Sequence, residues 1–270
     1  MRIYLSVDIE GICDVVNSEH TSNKGFLYNS AREQMTREAN AAIEGAIRAG
    51  ATEFVVNDSH GPMVNLIPGL LHKKAELITG TTKPLGMMQG FDGSFDAAMF
   101  IGYHARNNTQ GVLSHTISGG AVDNIWINDI IVGESGFNAA IAGAYDVPVI
   151  LVTGDNVVSA EVKELLGEDL VTAEVKEAIT RYSAKCLHPE LACERIEEAA
   201  FRAVNSISTR KPYKLQGPYT AKLQLHNSGL ADNASRLPNC VRVNGDTVSY
   251  SGDNIVDVLT AIRVMISLSR

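Results

Sequence analysis

Acidic and imidazole side chains gather just past short apolar runs of this sequence. They fall in Ser6-Val7-Asp8-Ile9-Glu10-Gly11, Asn57-Asp58-Ser59-His60-Gly61, Gly102-Tyr103-His104-Ala105-Arg106, Ser114-His115-Thr116, Gly133-Glu134 and Gly154-Asp155. Asp8 and Glu10 are two apart, so an extended backbone turns both carboxylates to one side. Carboxylates that close repel unless a cation lies between them or one is protonated. Each residue alone has a bland role as well. An Asp-x-Glu at a strand end is a turn or cap, Glu134 suits the first turn of a helix through the dipole, and a single loop histidine needs no ligand. Asp58 is either a turn former or a carboxylate that orients an imidazole. Taken jointly, two carboxylates, two or three histidines and a further glutamate make the mixed nitrogen and oxygen donor set of zinc or a similar divalent ion. Five ligands exceed what one open catalytic zinc uses, which favours two metal ions roughly 3.5–4 Å apart, bridged by a carboxylate and a water.

Such a set works only if separate elements bring it together. Arg2 to Val7 is β-branched and apolar, and helix-spaced Ala31, Met35, Ala39, Ala42, Ile43 and Ala46 follow within Tyr28 to Ala49. The strand pattern returns at Glu53 to Asn57, Ala97 to Gly102 and Pro148 to Gly154, the last preceded by a helical Asn138 to Tyr145. This alternation predicts an α/β fold: a three-layer mixed sheet with parallel core strands, plus a smaller α+β part at the carboxyl end. In open α/β sheets ligands bind beyond the carboxyl ends of the strands, where these motifs stand. Trp126 to Glu134, with Asn128-Asp129 inside it, reads as a tight hairpin or a bent strand. Ala173 to Ser183 and Cys193 to Ser206 read as amphipathic helices, Tyr213 to Leu225 and Val241 to Ser251 as antiparallel strands, and Ile255 to Leu268 as a closing helix. The division expected is a metal-binding α/β catalytic domain over 1–190 and a C-terminal α+β segment over 191–270, with a soft boundary that allows the two parts to intertwine.

Composition narrows the classes. Of 270 residues, 45% are hydrophobic and 20% charged, a globular balance. The net charge of -8 disfavours a nucleic-acid partner. No apolar run reaches membrane-span length. The first apolar run meets Asp8 and Glu10 too soon for a signal-peptide core, so a cytoplasmic protein is expected. Cys13, Cys186, Cys193 and Cys240 lack paired spacing, which argues against a thiolate metal site or a disulfide framework. His20, His72, His188 and His226 lack acidic or histidine neighbours in motif spacing, and no phosphate-binding glycine loop is present.

With the quoted motifs in this order, the chain resembles the zinc-dependent D-aminopeptidase family, also called dipeptide-transport proteins. The match continues through Tyr145-Asp146-Val147-Pro148-Val149, Gly154-Asp155 and Lys185-Cys186-Leu187, and so spans at least residues 3 to 187. The resemblance implies two zinc ions per subunit, bridged by Asp8 and completed by Glu10, His60, His104 and Glu134. It implies that His115 is the catalytic residue, as nucleophile or as general base and acid. It also implies small D-amino-acid peptides as substrates and a ring-like homo-oligomer with enclosed active sites. Two other readings compete with it. One is a binuclear metallohydrolase acting on another amide or an ester; a phosphatase would need more cationic groups than Arg106, the only one in the motifs. The other is a dipeptide-binding protein without catalysis, which has no use for two metals with an open position.

Overall fold

The computed structural model describes residues 1–269. Its first half runs β1 (Arg2–Val7), α1 (Ser18–Thr21), α2 (Tyr28–Arg48), β2 (Glu53–Asp58), β3 (Ala75–Ile78), β4 (Ala97–Ile101), β5 (Val122–Ile127), β6 (Ile130–Val132) and α3 (Glu134–Ala144). The second half runs β7 (Val149–Asp155), α4 (Asn156–Leu166), β8 (Val171–Thr180), β9 (Ser183–Cys186), α5 (Pro189–Asn205), β10 (Tyr219–Leu225), α6 (Ser228–Ala234), β11 (Val241–Arg242), β12 (Thr247–Gly252) and α7 (Ile255–Leu268).

Two sheets organise the molecule. The first has the order β3-β2-β1-β4-β7-β8-β9, parallel except for the hairpin strand β9, and the second is antiparallel, β11-β12-β10-β5-β6. Strands β1, β4 and β7 are near-continuous apolar runs because both faces of the first sheet are covered. Along β1, Ile3, Leu5 and Val7 face a core shared with α2 and α5. Tyr4, on the other face, joins a core shared with α3, α7 and the second sheet. The α/β architecture with a parallel core is thus as the sequence predicts. The β5–β6 hairpin also turns where expected, with Asn128 and Asp129 at φ 48° and 67°, the left-handed pair a tight hairpin uses.

Three elements differ from the sequence reading. Residues 173–183, read as a helix from their Glu and Lys content, form β8 and its turn into β9. Ala173 and Val175 are buried against the α2 and α5 core, and parallel pairing with β7 overrides the weak helical preference. The strand expected from Tyr213 begins only at Tyr219, because Pro218 has no N–H for the ladder. The strand expected over Val241 to Ser251 breaks into β11 and β12 around Asn244-Gly245, where Val243 N donates to Thr247 O at 2.9 Å. Beyond residue 190 the chain serves both sheets. α5 packs on α2 beside the first, while β10 pairs with β5 in the second. No helix among the described residues is long and apolar enough to cross a membrane.

Candidate metal centre

Strand β1 lies between β2 and β4, and this is where the chain reverses its winding direction across the sheet. The crevice at such a switch point is where strand-end side chains converge. Backbone bonds carry the pairing past the strand ends: Asp8 N donates to Ile101 O and Gly11 N to Gly102 O, both at 2.8 Å. Two glycines permit this approach. A Cβ on Gly102, itself at φ 69°, would stand 2.3 Å from Asp8 O, and one on Gly11 would stand 2.0 Å from Tyr103 O. The segments bearing Asp8, Glu10 and His104 are thereby locked together.

Buried Lys176 on β8 fixes the other side of the loop. Its Nζ donates to Glu10 O at 2.6 Å, Ile12 O at 2.8 Å and Val15 O at 2.5 Å. Reading residues 173–183 as a helix hid this residue; its placement needs the parallel pairing of β8 with β7. Replacing Lys176 with Met leaves three buried carbonyls without their donor, at about 1–3 kcal/mol each. Lys176→Met is therefore expected to lower unfolding stability by at least about 3 kcal/mol, measured by denaturant titration; a loss below 1 kcal/mol would deny Lys176 this role.

The three motif histidines share one arrangement. His60 Nε2 lies 2.9 Å from Thr21 O, while Nδ1 faces Glu10 Oε2 at 2.9 Å and Asp8 Oδ1 at 3.5 Å. His104 Nδ1 lies 3.0 Å from Ala105 O, while Nε2 faces Glu134 Oε1 at 3.3 Å and Asp8 Oδ2 at 3.5 Å. His115 Nδ1 lies 2.9 Å from Leu113 O, while Nε2 faces Glu134 Oε1 at 3.6 Å. In each neutral ring the nitrogen at the backbone carbonyl must carry the proton, so the other turns a lone pair toward carboxylates. Lone pair against carboxylate is repulsive unless a cation lies between. His104 Nε2 is buried and has no hydrogen-bond partner. The donor atoms of Asp8, Glu10 and His104, and those of His104, His115 and Glu134, lie within 4.8 Å of one another. These two groups and the donor chemistry fit a divalent metal.

The electrostatics show the same demand for positive charge. Burial, and then Glu10, push the Asp8 carboxyl well above its ordinary range. Burial works against Glu10 and Glu134 too, yet His60 pulls Glu10 well down and His104 pulls Glu134 to about 2. Burial alone would lower His60 and His104; Glu10 outweighs it at His60, and Glu134 with Asp8 raises His104 to about 10. Without metal, protons supply the missing charge. His115 is the exception, pushed down by burial and by His104, against which its ring stacks at 4.1 Å and 9°.

A pH prediction follows for the metal-free protein. His104 titrates from 6.5 when unfolded to about 10 when folded. A raised pKa contributes stability in full below the unfolded value and loses it as pH rises through the folded one. Metal must displace those protons. The metal-free Tm is expected to fall as pH climbs above about 6.5 and the zinc-induced gain in Tm to grow; a gain that shrinks with rising pH would contradict this.

Other motif residues have supporting places. Asp58 does not touch the His60 ring. It accepts from Asn65 N at 2.5 Å, Asn65 Nδ2 at 2.7 Å and Leu66 N at 2.7 Å, and Asn65 Nδ2 also reaches His60 O at 2.7 Å. The carboxylate therefore holds the loop that carries His60. Asp155 caps α4 through Val157 N and Val158 N and accepts from Val112 N at 2.7 Å, fixing the loop before His115. Arg106 is held through its backbone N by Glu161 at 2.9 Å. The cavity of about 270 Å³ over Asp8, Glu10, His60, His115 and Glu134 is instead lined by Arg263 of α7. Among the remaining histidines, His72 meets Glu44 at 3.2 Å and His188 caps α5.

A family model described as D-aminopeptidase matches residues 1–264, and the chain belongs to the D-aminopeptidase family. It is 38% identical over 270 residues to a D-aminopeptidase of Bacillus subtilis (strain 168), covering all of this chain and 98% of that one. Its structure is similar to that of the Zn-dependent D-aminopeptidase DppA from Bacillus subtilis, a self-compartmentalizing protease. The TM-score is 0.97 at 37% identity, covering 100% of this chain and 98% of that chain. The family expected from the motifs and the fold class expected from the strand and helix alternation are both borne out.

Proposed function

We propose that this protein is a binuclear zinc aminopeptidase that removes the amino-terminal residue from short D-amino-acid peptides. The observation that carries the reading is the three-histidine arrangement: each ring is tied by one nitrogen to a backbone carbonyl and turns the other toward Asp8, Glu10 or Glu134. Family membership supplies the reaction, and the zinc dependence of DppA supports the metal. Zinc held there supplies the Lewis acidity that polarises a peptide carbonyl and makes water nucleophilic near pH 7. Asp8, with one oxygen toward His60 and the other toward His104, would be the carboxylate that both ions share. Glu10, His60, His104 and Glu134 would complete the ligand set.

His115 is the proton carrier in this reading. Depression of its pKa keeps the ring neutral near pH 7, and its Nε2 lines the cavity edge beside Glu134. It takes a proton at Nε2 during attack and returns it to the leaving amine. A second reading, favoured by the closeness of His115, His104 and Glu134 donor atoms, makes His115 a ligand; the His115 variant discussed below separates the two. The self-compartmentalizing character of DppA supports assembly of this chain into a closed, ring-shaped homo-oligomer. Free thiols at all four cysteines suit a reducing, cytoplasmic setting.

The test is metal stoichiometry against activity. Chelation followed by stepwise zinc addition is expected to restore hydrolysis in proportion to metal, saturating at two ions per chain. Saturation at one ion, or full activity after chelation, would overturn the binuclear reading.

A further inference from the structure

The carboxyl-terminal helix enters the candidate site through one side chain. Arg263 on α7 lines the same cavity as Asp8, Glu10, His60, His115 and Glu134, and it is the only Lys or Arg among the described residues that do so. Its guanidinium is laid flat on Gly86: a Cβ there would stand 2.0 Å from Nη2 and 2.1 Å from both Cζ and Nη1. Gly86 adopts φ 54°, so glycine both permits the local backbone and leaves room for the planar group. Met87, next in the chain, lines the cavity as well. The cavity therefore has an acidic and imidazole end at the strand tips and a guanidinium contributed by a different element.

We propose that Arg263 receives the free C-terminal carboxylate of the peptide, making the enzyme selective for dipeptides and peptides of nearly that length. This rests on the aminopeptidase reading above and adds the far end of the substrate to it. The ordinary partner of a guanidinium fork is a carboxylate, held by two parallel hydrogen bonds. A short peptide places its carboxylate only a few bonds from the scissile carbonyl, and the cavity of about 270 Å³ has room for little more than that. A second opening of about 510 Å³, lined by Glu10, His115, Arg181 and Tyr182, adjoins the site at Glu10 and His115. Arg181 there is the natural rival for the same carboxylate.

The experiment measures kcat and KM of the zinc-loaded full-length protein on D-Ala-D-Ala and on its C-terminal carboxamide. The wild type is expected to favour the acid roughly 10- to 100-fold in kcat/KM, the range of one charge-assisted pair, mostly through KM. Arg263→Met is expected to bring that ratio close to one, and Arg263→Lys to recover part of it, with zinc content as the check on folding. Equal loss on acid and amide in Arg263→Met would overturn the inference, as would a wild type indifferent to the carboxylate or a ratio that collapses in Arg181→Met instead. Wild-type protein that cleaves neither compound would overturn the D-peptide reading, and this inference with it. Cleavage of both without preference would overturn the carboxylate role alone.

Discussion

Asp8→Asn is expected to strip the protein of zinc and to lower kcat/KM by at least about 10³-fold. The side chain is 3% exposed, and its two oxygens face two histidines, Oδ1 toward His60 and Oδ2 toward His104, each at 3.5 Å. Ile9 N donates to Oδ1 at 2.9 Å, which fixes the rotation of the carboxylate. An asparagine held by that same bond keeps its oxygen toward His60 and turns its amide NH2 toward His104. The variant thus retains the shape of the residue while placing donor hydrogens where a metal ligand must be and removing the charge shared by both positions. Zinc per chain after desalting and kcat/KM on a D,D dipeptide test this together. Retention of two ions with activity within tenfold of wild type would remove the bridging role from Asp8.

His115→Ala is expected to lower kcat by about 10²–10⁴-fold, the range of general acid–base catalysis, while both zinc ions stay bound. The difference from Asp8 lies in surroundings. His115 is half-buried, is held by Leu113 O and the face of His104, and keeps its ring neutral where the two other motif histidines gain charge. Loss of one zinc in His115→Ala would make the residue a ligand and select the second reading. Near-normal kcat with both ions present would leave the proton carrier to be sought elsewhere.

The candidate metal centre is legible in the sequence because its acidic and histidine residues stand at strand ends, and parallel strands bring their ends together without fine detail. Asp8, Glu10, His60, His104, His115 and Glu134 all meet at the crevice beside β1. Which nitrogen of each histidine faces the carboxylates is not legible, since it depends on the carbonyls of Thr21, Ala105 and Leu113, groups without a sequence signature. Asp58 shows a related limit. Its neighbourhood to His60 suggests an imidazole partner, but its carboxylate is taken up by the backbone of residues 65 and 66. Lys176 was masked by helical composition in a segment that long-range pairing makes a strand. Arg263 sits in a strongly apolar helix at the far end of the chain, and only the tertiary packing of α7 against the second sheet and α3 brings it to the cavity of Asp8 and Glu10, more than 250 positions earlier.

Release of free amino acid from D-Ala-D-Ala and from L-Ala-L-Ala, by chelated and zinc-reconstituted protein side by side, tests the central claim most directly. Zinc-dependent cleavage of the D,D peptide, with little or none of the L,L peptide, is the expected result. Hydrolysis of only the L,L peptide, or D,D hydrolysis that survives chelation, would contradict it.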